Sequence, residues 1–422
     1  MIYSPAIFGA LLMKKVLVIG YVWPEPKSSA AGTHIMSIMR LFLKQGWQVE
    51  FASPAQKTDH MIDLNDEGIS SENIVLNCDS FDQYVADLAP DIVMFDRFMM
   101  EEQFAWRVTK QCPNALKILD TEDLQCLRNA RHSAHKLNRE LTKADLHSDI
   151  AKREIAAILR CDISLIISSF EMSLLSESFN VDGQLLHYLP FMVNSDAINT
   201  STKSYEQRQH FMTIGNFRHA PNWDAVLYLQ SIWPQIRKRL PNAELHIYGS
   251  YPPPKATALN NPKTGFIIKG WAMDALQVME QSRICLAPIR FGAGIKGKLL
   301  DAMIMQTPSV TTLVGSESMH QDMPWPGAIS DDESEFVERA VQLYESQELW
   351  QQAADKCKPI LETVYDSDRL GKQLIAKINN TLTHLDEHRL NNFTGAMLQH
   401  HTMTSTKYMS QWITAKNKNI SS

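Results

Sequence analysis

The sequence predicts an α/β protein made of two Rossmann-like, doubly wound domains that face each other across a cleft. Three observations predict it. The chain has 422 residues, longer than one hydrophobic core usually grows. Short apolar strands alternate with helix-like segments from its beginning. That alternation stops at a polar stretch and then starts again, so the two halves read alike.

The first half opens on Val16 to Gly20 (VLVIG), an apolar, β-branched run of the kind buried on both faces of a parallel sheet. Residues Ser28 to Gly32 then lead into Thr33, after which Ile35, Ile38, Met39, Phe42 and Leu43 recur at helical spacing. Val49 to Ala52, Ile92 to Phe95 and Lys117 to Leu119 supply further strands. After Asp162 the run ISLIISS gives another, followed by a short helix through Met172, Leu174 and Leu175. From Asn194 to Gln209 the chain is polar and has no periodic apolar face, which places a linker at 196–209 between domains at 14–195 and 210–380.

The second half starts with FMTIG (Phe211 to Gly215), a helix through Ala225, Leu227, Leu229 and Ile232, and the strand Glu244 to Gly249. Phe266 to Lys269, Ile284 to Pro288 and Ser309 to Thr312 continue the sheet. Residues 381–422 read as a helical tail, with Phe393, Met397, Tyr408 and Trp412 available to pack back on the first domain.

Composition excludes several function classes. Hydrophobic residues are 44% and charged residues 21%, the proportions of a soluble globular protein. With 41 Lys+Arg against 47 Asp+Glu the net charge is -6, so no global basic field marks a nucleic-acid binder. The six cysteines form no C-x-x-C pair and have no His at ligand spacing, which argues against a zinc site or a disulfide framework and for a reducing cytoplasm. Met1 to Met13 is apolar but too short to span a bilayer. Two readings of it stay open: translation starting at Met13, or a tail that touches the inner face of the membrane.

The stretch with most chemistry is Ala287 to Thr312, where a strand runs into a Gly-rich loop and then a helix. Gly292, Gly294 and Gly297 let a ligand approach the backbone, Lys296 and Lys298 bring positive charge, and the helix N-terminus points at the same place. This is where a diphosphate is expected. The G-x-G-x-x-G fingerprint is absent after Gly20, which argues against a nicotinamide or flavin enzyme.

This stretch resembles the donor-binding signature of family 4, or group 1, glycosyltransferases. Phe211 to Asn222, Trp233-Pro234, Glu244 to Gly249, Pro308 to Thr312, Gly315 and Glu317 are similar to the rest of that family's second domain, and Gly32 and Leu119 to Arg128 to its first-domain loops. The resemblance implies the GT-B fold, a nucleotide-sugar donor, a sugar, lipid-linked sugar or other acceptor, transfer with retention, and no metal or other cofactor. It also implies synthesis of a polysaccharide, lipopolysaccharide or glycoconjugate. Gly32, Gly215, Arg218, His219, Gly292, Gly294, Asp301 and Glu317 are the donor-binding candidates, and Asp120, Lys296 and Lys298 the catalytic ones.

The sequence departs from the family at three places. The paired glutamates, eight positions apart, appear as Ala293 and Asp301; Asn216 and Asn222 stand where relatives carry Arg and Lys, leaving Arg218 and His219 to supply charge. Asp120 and Asp123 occupy the region of a first-domain His. An Asp at a helix start is an ordinary N-cap, and Asp123, ahead of Leu124 and Leu127, is read as one. Asp120 is then the candidate to hold a sugar or acceptor hydroxyl. A nucleotide-sugar epimerase and a degenerate, non-catalytic nucleotide-sugar-binding protein are the competing expectations.

Overall fold

A computed structural model describes residues 13–200 and 202–420, without the side chains of 401–404 and 417–420. The apolar N-terminal stretch lies, but for Met13, outside the described residues.

Seven strands form the first sheet: β1 (Lys15–Ile19), β2 (Gln48–Ser53), β3 (Ser70–Asn73), β4 (Ile92–Asp96), β5 (Leu116–Asp120), β6 (Ile163–Ile166) and β7 (Leu186–Tyr188). Their order is β3-β2-β1-β4-β5-β6-β7, all neighbours parallel, with Val16 opposite Val49 on one side and Ile92 on the other. The apolar reading of β1 has its cause here: helices cover both faces, and Leu17 and Ile19 enter one core while Val16 and Val18 enter another. The second sheet contains β8 (Gln209–Ile214), β9 (Leu245–Tyr248), β10 (Phe266–Gly270), β11 (Ser282–Ala287), β12 (Ser309–Thr311) and β13 (Gly327–Ile329), in the order β10-β9-β8-β11-β12-β13. The strand order reverses beside β1 in one sheet and beside β8 in the other, so the carboxyl ends of β1 and β4, and of β8 and β11, open the crevices in which doubly wound sheets hold ligands.

Strands β3, β7 and β13 escaped the sequence pattern. β3 (SSEN) carries no apolar residue and β7 and β13 have three residues each, too few for a period of two to be visible.

The domain boundaries also need correction. The chain returns to the first domain well before residue 381: Val193 bridges to Asp366, and Leu370, Leu374 and Ile378 of the helix Ser367–Thr383 lie in the core that holds Val16 and Val18. That helix carries its apolar residues at i, i+4 and i+8, which shows an amphipathic face but not which sheet it covers. Beyond it, Arg389 pairs with buried Asp162, and the last helix, Phe393–Ile420, packs on the first-domain helices Phe98–Gln111 and Asp149–Arg160. No helix among the described residues is long and apolar enough to cross a membrane.

Candidate donor site in the interdomain cleft

The floor of the cleft is the loop after β11. Gly294 has φ +62°, and a Cβ there would come within 2.8 Å of Asp123 Cβ in the other domain. A Cβ on Gly297 would meet Ala30 Cβ at 2.5 Å. These glycines therefore let two backbones close on each other as well as on a ligand. The helix Gly297–Ile304 starts at Lys296, whose Nζ donates to the Gly294 carbonyl at 2.9 Å. Lys298 reaches instead to the loop after β8, where its Nζ donates to Asn222 Oδ1 at 2.8 Å. Burial pushes both ammonium groups down to about 8. Asp301 faces the cleft one turn further on, with its carboxyl pushed up to about 7 by burial and then by Asp274.

The loop after β8 completes this side. Gly215 lies against the Asn222 carboxamide, and Asn222 in turn donates to the Asn216 carbonyl at 3.0 Å. Exposed Arg218 sits over the Tyr251 ring at 3.8 Å, and His219 stands at the start of the helix Ala220–Arg239. All four of Gly215, Arg218, His219 and Gly292 line the cleft with Gly294 and the two lysines.

On the first-domain side, Ser29 caps the helix Ala30–Lys44 by accepting from Gly32 N at 3.0 Å. Gly32 itself turns away from the cleft: a Cβ there would meet the Glu25 backbone at 2.5 Å, so packing demands the glycine. Asp120 ends β5 and is 1% exposed. Its Oδ1 accepts from Glu122 N at 3.1 Å, its Oδ2 lies 3.9 Å from His34 Nε2, and burial followed by the neighbouring Asp96 pushes its carboxyl up to about 7. It stands behind the cleft wall, whereas Glu122 and Asp123 form the wall.

Asp123 is not an N-cap. The helix Gln125–Lys136 is capped at Leu124, whose N–H donates to Glu171, and the Asp123 carboxylate pairs with Arg128 in the cleft. Hydrophobic spacing after Asp123 marked the helix but could not say which residue precedes it.

A set of contacts joins the two domains around this floor. Arg131 donates from Nη1 to Glu317 Oε1 at 2.9 Å and from Nη2 to Oε2 at 2.7 Å, and also to the Gly292 carbonyl at 2.9 Å. Glu317 is thus held in an interdomain pair, off the cleft wall. Glu171 Oε1 accepts from Leu124 N at 2.9 Å and Gly294 N at 3.0 Å, and burial pushes this carboxyl up to about 8. Phe170 N donates to Ser318 Oγ at 2.9 Å, and His132 stacks on Phe291 with ring centroids 4.4 Å apart. Nothing in the sequence marked Arg131 or Glu171, because their partners lie 186 and 123 residues away.

The enclosed space is about 1160 Å³ and brings Lys27, Arg97, Arg128, Arg218, Lys296 and Lys298 to one cavity. Such a cavity can hold a doubly charged diphosphate with a sugar attached. Residues 208–346 match the model of the family of glycosyl transferases group 1. The chain carries a group 1 glycosyltransferase domain. No curated protein sequence matches it. Solved structures share its fold over both halves: a glycosyltransferase from Rickettsia africae (TM-score 0.64, 11% identity, covering 88% of this chain and 99% of that one) and Anabaena HepE with UDP-glucose (TM-score 0.66, 11% identity, 87% and 100%). Staphylococcus aureus TarM, solved with UDP, fondaparinux and α-GlcNAc-glycerol, matches with TM-score 0.56 and 14% identity over 71% of this chain; the chain spans 58% of TarM's length. The architecture is GT-B, with the glycosyltransferase domain second.

Among the described residues, one group of potential ligands lies outside the cleft. His210, Glu244 and His246 converge at the opposite, amino-terminal end of β8 and β9. His210 Nδ1 accepts from Glu244 N at 3.2 Å, which puts the proton of a neutral ring on Nε2, and His246 Nε2 lies 2.7 Å from the Glu244 carboxylate. His246 is therefore hydrogen-bonded to the carboxylate, whereas His210 Nε2 stands 3.9 Å from it.

Proposed function

We propose that this chain is a family 4 glycosyltransferase that moves a hexose from a nucleotide-sugar to an acceptor hydroxyl with retention and without a metal ion. The observation that supports it is the floor of the cleft: a Gly-Ala-Gly loop, Lys296, Lys298 and a helix N-terminus beside the switch point of the second sheet. In this reading the bond from the anomeric carbon to the β-phosphate oxygen breaks while the acceptor oxygen bonds to the same face. The acceptor proton passes to the departing phosphate. Charge grows on that phosphate, and lysines fixed beforehand in a closed cleft stabilise it more than water could.

Asp301 is assigned to the ribose hydroxyls. Ala293 offers no carboxylate and packs against the first-domain core; the first-domain carboxylates that line the cleft are Glu122 and Asp123. We assign them to hydroxyl groups of the donor sugar or acceptor. UDP is the first nucleotide to test, since HepE and TarM were solved with it. The acceptor is a sugar or lipid-linked sugar, with synthesis of a surface polysaccharide or glycoconjugate as the setting.

The test is a melting curve of the full chain with UDP, GDP, ADP or TDP in EDTA, followed by donor turnover with and without EDTA. One nucleotide should raise the melting temperature by mass action, and slow donor hydrolysis should persist under chelation. Stabilisation without any donor cleavage would leave a binding protein in place of an enzyme. Loss of turnover in EDTA, restored by Mn²⁺ or Mg²⁺, would overturn the metal-free mechanism.

A further inference from the structure

The last helix, Phe393–Ile420, packs on the first domain with the wrong face for a core helix. Its inward residues are mostly small or polar, with Leu398 and Ile413 partly buried beside them. Gly395 lies against the Leu159 carbonyl, Gln399 Nε2 donates to the Arg160 carbonyl at 2.9 Å, Arg107 Nη2 donates to Ser410 Oγ at 3.0 Å, and Thr414 Oγ1 donates to the Asn77 carbonyl at 2.6 Å. Its outward residues are large and apolar: Phe393, Met397, Tyr408, Met409 and Trp412 are 77%, 46%, 61%, 59% and 61% exposed. At 100° per residue Phe393, Met397, Tyr408 and Trp412 fall on one side of the cylinder, as two apolar patches about 30 Å apart at their outer ends, separated by turns that carry His401 and Thr404 on that side of the sequence pattern. Leu390, which ends the preceding helix Leu385–Leu390, is 82% exposed.

An amphipathic helix normally turns its apolar stripe to the protein. Here the polar side is hydrogen-bonded to the domain, so the apolar side is kept for something else. Charge indicates what. The helix has no Asp or Glu along its 28 residues, and its formal charges are Lys407, Lys416 and Lys418, in a chain of net charge -6. Lys416 Nζ lies over the Trp412 ring at 5.4 Å and Lys407 Nζ over the Tyr408 ring at 5.7 Å, so two ammonium groups accompany the two rings. Tyr and Trp with flanking lysines is the composition of a helix lying in a membrane interface, where the rings sit at headgroup depth and the lysines reach the phosphates. A second copy of the chain would bring the same cations against each other.

We infer that the outward face of Phe393–Ile420 is a docking surface for an anionic lipid bilayer, on which the helix lies without crossing it. The inference is independent of the donor chemistry. Its ligand is the shared one of any anionic headgroup, a phosphate at an apolar boundary.

The experiment is co-sedimentation of the full chain with vesicles of phosphatidylcholine alone or with phosphatidylglycerol added, at low and high salt. Binding should require the anionic lipid and weaken with salt. Tyr408→Ser/Trp412→Ser should lower the partition coefficient about tenfold or more, and Lys407→Glu/Lys416→Glu at least as much, since each lysine near the surface is worth about fivefold. Tyr408, Trp412 and Lys416 are exposed and Lys407 half-buried, so the melting temperature should hardly move; Leu313→Ser, an exposed apolar residue on the second domain, is the control and should bind like the parent. Equal binding to neutral and anionic vesicles, no binding at all, or variants that bind like the parent would overturn the inference. So would a concentration-dependent dimer in sedimentation velocity that the Tyr408/Trp412 variant abolishes, which would give the face to a second copy.

Discussion

The two halves of this chain have the same strand order about their first strands and differ in what they bring to the cleft between them. Around the second-sheet switch point stand Lys296, Lys298 and Arg218, with Gly292 and Gly294 exposing backbone. Around the first stand Glu122 and Asp123 among the cations Lys27, Arg40, Arg97 and Arg128, and a helix start made of Ser28, Ser29 and Ala30. Both walls carry cations, but the second sets them beside exposed loop backbone, which suits an anion, and the first sets two carboxylates among them, which suits hydroxyl groups. A shared architecture therefore does not imply a shared role, because the carboxyl ends of the strands provide only a place, and a few side chains in the loops decide which half takes the leaving group.

The largest effect is expected where that division is steepest. Lys298 reaches across to the loop after β8, whereas Lys296 already donates to a carbonyl of its own loop. Lys298→Ala should lower kcat about 10²-fold or more with an unchanged melting temperature, and Lys296→Ala roughly tenfold. Steady-state kinetics decide it. If Lys296→Ala is the more damaging, the phosphate lies on the other side of the loop. If both variants match the parent, the anion-binding wall is elsewhere and Arg218 becomes its main cation.

Gly294 sharpens the comparison, because it is where the walls touch. Alanine there must adopt φ +62° and place its Cβ 2.8 Å from Asp123 Cβ, costing about 2 kcal/mol, or roughly thirtyfold in kcat/KM if the strain opens the closed form. A parallel Asp123→Gly change removes the tightest contact but not the backbone strain, so it should restore part of the loss in melting temperature, a readout that the role assigned to Asp123 toward substrate hydroxyls does not enter. No restoration would place the whole cost in the loop itself.

How far the sequence carried this picture follows from the range of its signals. Strands β1, β4 and β11 were legible because burial on both faces leaves a run of apolar residues, and the donor loop because glycines and lysines sit within one short stretch. Both are local patterns. Asp120 was singled out as a strand-end carboxylate, but one residue of chain geometry separates a group behind the wall from Glu122 and Asp123 on it. Glu317, read from its spacing after Gly315, is drawn away by Arg131, and no period in the chain records that pairing. The direction of the last helix was hidden for a related reason: its stripe of Phe393, Met397, Tyr408 and Trp412 suggests a face to bury, and only the fold shows that the opposite face is buried.

The interdomain pair allows a smaller test. Arg131 and Glu317 are both mostly buried and bidentate, so Arg131→Ala leaves a carboxylate unpaired at the closure contact, whereas Glu317→Gln keeps one hydrogen bond. The first should lower kcat/KM about tenfold and the second about threefold, with a larger radius of gyration by small-angle scattering for Arg131→Ala in the absence of nucleotide. Unchanged scattering and kinetics would show that Glu171 and the His132–Phe291 stack hold the domains without it.

The smallest effect is in the pH profile, and it separates the two kinds of charge on the second wall. Asp301, raised to about 7 by burial, must be ionised to accept strongly from ribose hydroxyls, so that contribution is absent below its pKa and grows as pH rises through 7. Lys296 and Lys298, lowered to about 8 by burial, have their proposed hold on phosphate only as ammonium ions, so that contribution is present below 8 and is lost as pH rises through it. The free enzyme should therefore show a narrow bell in kcat/KM between these limbs, falling about twofold to threefold within one pH unit of its top. Bound diphosphate raises the lysine pKa values, which moves the alkaline limb of kcat upward while that of kcat/KM stays near 8. Lys298→Arg keeps a cation that does not titrate, leaving a shallower alkaline limb carried by Lys296 alone, and Asp301→Asn should flatten the acid limb. An alkaline limb of kcat/KM that is the same in Lys298→Arg as in the parent would mean that Lys298 is not the titrating cation, and that the burial which lowers it in the open cleft is already relieved before the donor binds.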